Sequence, residues 1–407
     1  MQSLYWANRQ TLEHASWREV APRVSHNVRA AIEKVLASRD GGVLTRDEGM
    51  LLARADGEDL FGLAVAANQL RRQLVGEVIT YVVTRNINFT NVCFVGCKFC
   101  AFSVGPRDDS AYFLSPDEVA RKAREAQEWG ATEVCIQGGL PRKLPPFYYR
   151  DILRAVKSAT PRMHAHAFSP MEMAYGVELT GMPIREYLLM LKANGLDTLP
   201  GTAAEILDDS VRHVLSSNKL STAQWCEIVE TAHECGIRST STMMYGHREG
   251  PEHWVNQLLL LREIQSRTGG FTEFVPLGFI HDNTLLFAQG LARAGATVAE
   301  HIRVHALSRI MLAGSIHHIQ VSWVKLGRAL SQLALLAGAD DYGGTLFEEN
   351  ISRLAGATAG QYTSVADFQE RIRELGRVPA QRNTLYTRFT YPKSPEAVAT
   401  VAAGDAA

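Results

Sequence analysis

From residue 77 to about residue 347 the chain alternates short runs of β-branched and aromatic residues with helix-forming stretches, seven or eight times in succession. That alternation constrains the fold more than any other feature. Successive strand-then-helix units build a parallel sheet whose faces the helices cover. The units are clearly punctuated. Ser115-Pro116-Asp117-Glu118 is a helix start with a cap, a first-turn proline and a reciprocal glutamate, and Gly130 is its stop. Ser221-Thr-Ala-Gln224 opens another helix, which stops at Gly236. Predicted strands fall at 77–89, 133–137, 163–168, 197–199, 238–245, 271–277 and 316–323, with a short segment at 341–347. Predicted helices lie near 115–130, 147–159, 183–194, 221–236, 252–267, 298–313 and 325–337. This count suits a closed (β/α)8 barrel of the TIM type. A doubly wound open sheet is the alternative, but no Gly-x-Gly-x-x-Gly fingerprint follows the first strand. Residues 1–75 read as an N-terminal helical segment and 76–347 as the barrel core. Residues 348–393 read as a C-terminal extension packing on the barrel, and 394–407, small and Ala-rich, as a mobile tail.

Composition narrows the class. Hydrophobic residues make up 46% and charged residues 21%, so a large core can form and a disordered chain is excluded. The 42 basic and 43 acidic residues leave no overall basic footprint for nucleic acid. No stretch of about 18 uninterrupted apolar residues suggests a membrane span. The start, Met-Gln-Ser-Leu-Tyr-Trp-Ala-Asn-Arg-Gln, lacks the charged-then-apolar order of a signal peptide. The expectation is a cytoplasmic protein with neither nucleic acid nor membrane as partner.

Three of the six cysteines, Cys93, Cys97 and Cys100, fall within eight residues. The others, Cys135, Cys226 and Cys235, are scattered and read as buried apolar-like residues. A disulfide scaffold does not suit so low a density in so long a chain. A closed zinc site wants four protein ligands, and the loop supplies three thiols. An iron–sulfur cluster held by three thiolates keeps one iron open to a small molecule, a catalytic arrangement. Gly96 lets the backbone turn tightly around such a group.

In a (β/α)8 barrel, function gathers at the C-terminal ends of the strands. The unusual residues of this chain fall there on strand after strand. Gln137-Gly138-Gly139 is either a plain turn or a place where a ligand touches backbone. His164 and His166 alternate onto one face and could be metal ligands, substrate donors or satisfied barrel residues. Ser169-Pro170 follows them. Glu205, after Pro200-Gly201, could bind a ligand or merely favour a helix N-terminus. Met243-Met244 reads as packing. Tyr245, His247 and His281 are candidate substrate contacts, and His317, His318, Gln320 and Trp323 mark the seventh strand.

Cys93-x-x-x-Cys97-x-x-Cys100, with Phe99 before the last cysteine, resembles the signature of radical S-adenosyl-L-methionine (SAM) enzymes. The wider string Asn88-Phe-Thr-Asn-Val-Cys-Phe-Val-Gly-Cys-Lys-Phe-Cys-Ala-Phe102 looks like the group holding deazaflavin (FO) synthase and two menaquinone-pathway enzymes. His166-Ala-Phe-Ser-Pro-Met-Glu172, Gly201-Thr-Ala-Ala-Glu-Ile-Leu207, Ser241-Thr-Met-Met-Tyr-Gly-His247 and Ser322-Trp-Val-Lys-Leu-Gly327 resemble the CofH subunit of FO synthase, from about residue 45 to about 390. After Leu277 the chain departs: His281 is kept, but two prolines of the family pattern are absent.

The resemblance implies a radical SAM (β/α)8 barrel in which Cys93, Cys97 and Cys100 hold one [4Fe–4S] cluster. It implies that the open iron chelates SAM, with Phe99, Gln137, Gly138, Gly139, Ser169 and Glu205 near that cofactor. One electron from a low-potential donor would split SAM into methionine and a 5′-deoxyadenosyl radical. In CofH the radical attacks L-tyrosine, the Cα–Cβ bond breaks, and the 4-hydroxybenzyl fragment joins 5-amino-6-(D-ribitylamino)uracil. A separate CofG-type subunit then cyclises the product to FO, the precursor of coenzyme F-420. His164, His166, Tyr245, His247 and His281 would satisfy the polar groups of the substrates. The rival within the superfamily is a paralogue, aminofutalosine synthase-like or acting on another aromatic substrate. From other classes, the rivals are a metal-dependent barrel hydrolase using His164 and His166, and a non-catalytic iron–sulfur protein.

Overall fold

The computed structural model describes residues 4–38 and 43–392. Strand β1 (Val78–Val82) runs through Val83 straight into β2 (Thr84–Asn88), and this broken first strand joins the two halves of a ring. On one side, β2 begins a six-stranded parallel sheet. Its other members are β3 (Glu133–Gln137), β4 (His164–Ala167), β5 (Thr198–Leu199), β6 (Arg238–Tyr245) and β7 (Phe271–Gly278), in chain order. On the other side, β1 pairs in parallel with β8 (Asp341–Gly344). Between β7 and β8 the chain makes single rungs, Phe274–Ile319 and Gln320–Asp341. The ring closes, as expected for a (β/α)8 barrel.

The helices return the chain between strands, and most begin as the sequence predicts. Ser115 caps Pro116–Glu128 and Ser221 caps Thr222–Glu234, each in a reciprocal capping box. Before the barrel come helices Arg9–His14, Trp17–Val20, His26–Leu36, Arg46–Ala53 and Gly57–Val75. The last of these packs along Val298–Met311, so the N-terminal helices share the barrel's hydrophobic core.

Two regions depart from expectation. The predicted strand 316–323 shrinks to two single rungs: the Phe274 N–H still donates to the His318 carbonyl at 2.9 Å and the Val321 N–H to the Asp341 carbonyl at 2.8 Å, but two other backbone groups bond side chains instead. Asp340 Oδ1 accepts the Ile319 N–H at 2.7 Å, and Arg309 donates to the His317 carbonyl at 2.5 Å. The helix then begins at Trp323, whose indole donates to the Gly344 carbonyl at 2.9 Å. The second region is the C-terminal segment. Strand β9 (Val378–Arg382) pairs in parallel with β1, and β10 (Phe389–Thr390) pairs antiparallel with β9. Beyond β9 the chain seals the N-terminal end of the barrel. Arg382 meets Asp341 at 2.6 Å and Glu273 at 3.2 Å. Thr384 donates to Glu133 at 2.6 Å, and the Tyr386 ring stacks on His318 at 3.7 Å between centroids. The expected tail at 394–407 lies outside the described residues.

Candidate active site

A cavity of about 420 Å³ opens at the C-terminal ends of the strands, the face opposite the Arg382 seal. At one pole lie Cys93, Cys97 and Cys100, all free thiols. Their loop leaves β2 through Asn88-Phe-Thr-Asn91 and is pinned by its own polar residues. Asn91 donates to the Ser110 carbonyl at 2.9 Å and accepts from the Tyr112 N–H at 2.9 Å, while Thr90 donates to the Tyr112 carbonyl at 2.6 Å. Gly96 turns the loop with φ +71°, a conformation glycine adopts without strain. Among the described residues, no three His, Cys, Asp or Glu side chains are drawn together tightly enough to hold a single metal ion. Three sulfurs spread over one loop fit a multinuclear cluster in which each sulfur takes a different iron.

Burial pushes the Cys93 and Cys97 thiols up, Cys97 to about 11, although nearby Lys219 pulls both down. Ligation would therefore release protons that free thiols hold at neutral pH. Lys219 itself is committed. Its ammonium donates to Glu205 Oε1 at 2.6 Å and lies 5.0 Å from the centre of the Phe99 ring. Burial opposes its charge, but Glu205 and Cys97 hold its pKa above the ordinary lysine value. Arg212 approaches Glu205 Oε2 at 3.8 Å. Glu205 sits at φ +39° and Ala203 at +61°, so the loop after β5 is held in the sparsely populated left-handed region beside the cavity.

Gln137, Gly138, Gly139 and Ser169 also line the cavity, as does Glu172, to which the sequence reading assigned no role. Gln137 donates to Thr202 Oγ1 at 2.9 Å. The glycines serve packing. A Cβ on Gly138 would meet the Phe89 ring at 2.6 Å, and one on Gly139 would meet the Val92 carbonyl oxygen at 2.3 Å. Both N–H groups are engaged, Gly138 with Glu172 at 3.1 Å and Gly139 with the Thr90 carbonyl at 2.8 Å. Gly139→Ala should therefore push the cysteine loop out of place. We expect a stability loss of about 1–3 kcal/mol, read by denaturant titration, together with reduced iron uptake on reconstitution; normal values for both would contradict this packing.

Glu172 closes a capping box with Ser169, accepting its N–H at 2.6 Å and its hydroxyl at 2.7 Å. Burial pushes the Glu172 carboxyl up to about 7, against the N–H groups that pull it down. Between about pH 4.5 and 7 the folded state therefore binds more protons than the unfolded state at this group. Stability falls as pH rises through that window and levels off above it. Subtracting the pH–stability curve of Glu172→Gln from that of the wild type should leave this downward slope, of order 1–3 kcal/mol in total. A flat difference would contradict it.

Five expected contacts stand away from the cavity wall. His164 is the first residue of β4, at the end of the strand away from the cavity, and does not line it. Its Nε2 and the Nδ1 of His166 both hydrogen-bond the Thr198 hydroxyl at 2.8 Å, which leaves them as satisfied interior residues. Burial, reinforced by Arg382, pushes His166 down to about 3. On β6, Thr242 and Met244 face the cavity, so Tyr245 faces the other way, bonded to His301 Nδ1 at 2.7 Å. His247 is buried with Nδ1 3.2 Å from Glu249, and His281 packs edge-on against Phe287 at 4.5 Å. Lys219 and Lys325 do line the cavity; Lys325 falls within the string Ser322-Trp-Val-Lys-Leu-Gly327, whereas Lys219 falls in none of the motifs.

Known proteins match this chain in both halves. The Radical SAM superfamily profile covers residues 87–261, and the CofH/MqnC C-terminal region covers residues 268–395. The 5-amino-6-(D-ribitylamino)uracil–L-tyrosine 4-hydroxyphenyl transferase of Methanocaldococcus jannaschii is 52% identical over 334 residues, 81% of this chain and 93% of that protein. The chain belongs to this family of radical SAM enzymes. The FO synthase of Mycobacterium leprae is 55% identical over 364 residues, 89% of this chain and 42% of that protein. The chain thus spans less than half the length of that FO synthase. Among solved structures, the FeFe-hydrogenase maturase HydG from Carboxydothermus hydrogenoformans has a TM-score of 0.70 at 17% identity, covering 93% of this chain and 86% of its own. Methylornithine synthase (PylB) has a TM-score of 0.65 at 18% identity, covering 86% of this chain and 97% of its own. These two share the fold. Membership of the radical SAM superfamily implies a [4Fe–4S] cluster and SAM. No helix among the described residues is long and apolar enough to cross a membrane.

Proposed function

We propose that this chain cleaves L-tyrosine and couples its 4-hydroxybenzyl fragment to 5-amino-6-(D-ribitylamino)uracil, in the formation of FO. The observation that carries the reading is the meeting, in one cavity, of three free thiols from a single loop with the ends of the barrel strands. Cys93, Cys97 and Cys100 would hold one [4Fe–4S] cluster, which with SAM supplies 5′-deoxyadenosyl radical chemistry when bound.

The chain's own residues do the rest. Lys219 and Arg212 hold Glu205 at the thiol pole, where its carboxylate can face the positive groups of SAM. The bond from Gln137 to Thr202 ties the end of β3 to the loop after β5 and fixes the wall between them. Val95, Phe99, Met171, Leu277 and Phe279 make the lining mainly apolar, which keeps water from a reactive carbon centre. The Arg382 seal closes the opposite end of the barrel. We read residues 76–347 as the catalytic barrel, 1–75 as its helical buttress and 348–393 as the extension that supplies the seal. A low-potential electron donor and a cyclising CofG-type unit complete the proposed pathway in the cytoplasm.

Oxygen-free incubation with SAM, reductant, L-tyrosine and the ribityl-uracil tests the reading. A coupled product should form, and leaving out either substrate should abolish it. SAM cleavage with tyrosine but no coupled product would move the assignment to a paralogue.

A further inference from the structure

The cavity wall also carries four polar side chains outside the cysteine loop. Asn86 from β2, Gln320 and Ser322 from the segment before the helix Trp323–Leu336, and Lys325 from that helix's first turn all line it. None of these four side chains makes a hydrogen bond to the described residues. They are nonetheless held in place. The Gln320 amide lies so close to Gly343, itself at φ +78°, that a Cβ there would sit 2.1 Å from Gln320 Nε2. Lys325 occupies a helical turn cut off from the rest of the helix by Gly327 at φ +68° and ψ +179°. Glu349 lines the cavity as well, its carboxylate engaged by the Ser352 N–H at 3.1 Å. Burial lowers the pKa of Lys325 and Glu349 opposes that shift. Polar side chains left unpaired in a mostly apolar cavity are expensive unless a ligand completes them.

Charge decides which ligand group. Of the lysines and arginines lining the cavity, Lys219 already pairs with Glu205, and Lys325 is the other. The ribityl-uracil is a neutral ring with hydroxyls, which the Asn86 and Gln320 amides suit. An α-amino acid brings a carboxylate that needs a cation. We propose that Lys325 is the binding residue that holds the α-carboxylate of the amino-acid substrate. This rests on the tyrosine reading above.

Equilibrium dialysis of the reconstituted, SAM-loaded protein without reductant tests it, since no turnover occurs under those conditions. Wild-type protein should bind L-tyrosine about 100-fold more tightly than tyramine, which lacks the carboxylate. Lys325→Met should weaken L-tyrosine about 100-fold, leave tyramine unchanged, and so erase the discrimination. The affinity for 5-amino-6-(D-ribitylamino)uracil should not move. Lys325→Arg keeps the charge and should stay within about tenfold of wild type. Should the methionine variant not fold, Lys325→Gln is read by the same criteria. Unchanged tyrosine affinity in the uncharged variant, equal losses for tyrosine and tyramine, or a loss confined to the ribityl-uracil would each overturn the assignment. Any of these in a wild-type background that still couples the two substrates sinks the lysine role alone; a wild-type protein that binds no tyrosine sinks the tyrosine reading with it.

Discussion

Cys97→Ala protein, reconstituted without oxygen, is expected to hold almost no iron and to form no 5′-deoxyadenosine from SAM. Wild-type protein should hold about four irons per chain. The size of the effect follows from the donor count. The loop offers three sulfurs and no fourth Cys or His, so losing one leaves two, too few to retain a cubane against chelation. Cys97 is the middle of the three, and its thiol interacts with both Lys219 and Cys100. Its loop is independently pinned by Asn91 and Thr90, so the alanine variant should keep its fold. Cys226→Ala is the control. That cysteine lies on helix Thr222–Glu234 and does not line the cavity, so iron content and cleavage should stay at wild-type levels. Normal iron content and cleavage in Cys97→Ala would contradict the site.

Arg382→Met should destabilise the fold by about 3–5 kcal/mol, read as a shift in the denaturant midpoint. Arg382 is almost wholly buried, and so are both of its partners, Asp341 at 2.6 Å and Glu273 at 3.2 Å. Removing the guanidinium leaves two carboxylates in a low-dielectric interior with the countercharge gone. Burial already pushes Glu273 up, with Arg382 the main group pulling it down. The penalty arises from the orphaned charges, so Arg382→Met combined with Glu273→Gln should recover part of the loss. A change below about 1 kcal/mol in the single variant would mean that the seal does not bear on stability.

Much of the barrel was legible because its signals are local. The strands at 133–137 and 238–245 are continuous runs with glycine or capping residues at their flanks, and they fall where predicted. The Ser115 and Ser221 boxes are complete in four residues each. The strand at 316–323 is shorter than its pattern suggests: it keeps backbone bonds to β7 and β8, but the His317 carbonyl and the Ile319 N–H turn to the Arg309 and Asp340 side chains, contacts that no local pattern encodes. The β9 seal was missed for a similar reason. Val378-Pro-Ala-Gln-Arg382 carries a proline and no alternation, and it becomes a strand only by pairing with β1, some 300 residues earlier.

The candidate site divides along the same line. Cys93, Cys97, Cys100, Gly138, Gly139 and Glu205 line the cavity because their motifs fix them at strand ends. The histidines fail a finer test. His164 starts a short strand, and Tyr245 has the wrong parity on β6, so both turn from the cavity although they stand near it in sequence. Glu172 had a visible signal, the Ser169-Pro-Met-Glu172 capping box, but its second role toward Gly138 depends on the fold.

The most direct test is the mass of the small-molecule product made from uniformly 13C-labelled L-tyrosine, SAM and unlabelled ribityl-uracil without oxygen. The account predicts a coupled product carrying the ring and Cβ carbons of tyrosine but neither Cα nor the carboxyl carbon. A product retaining every tyrosine carbon, or SAM consumption with no labelled adduct at all, would contradict it.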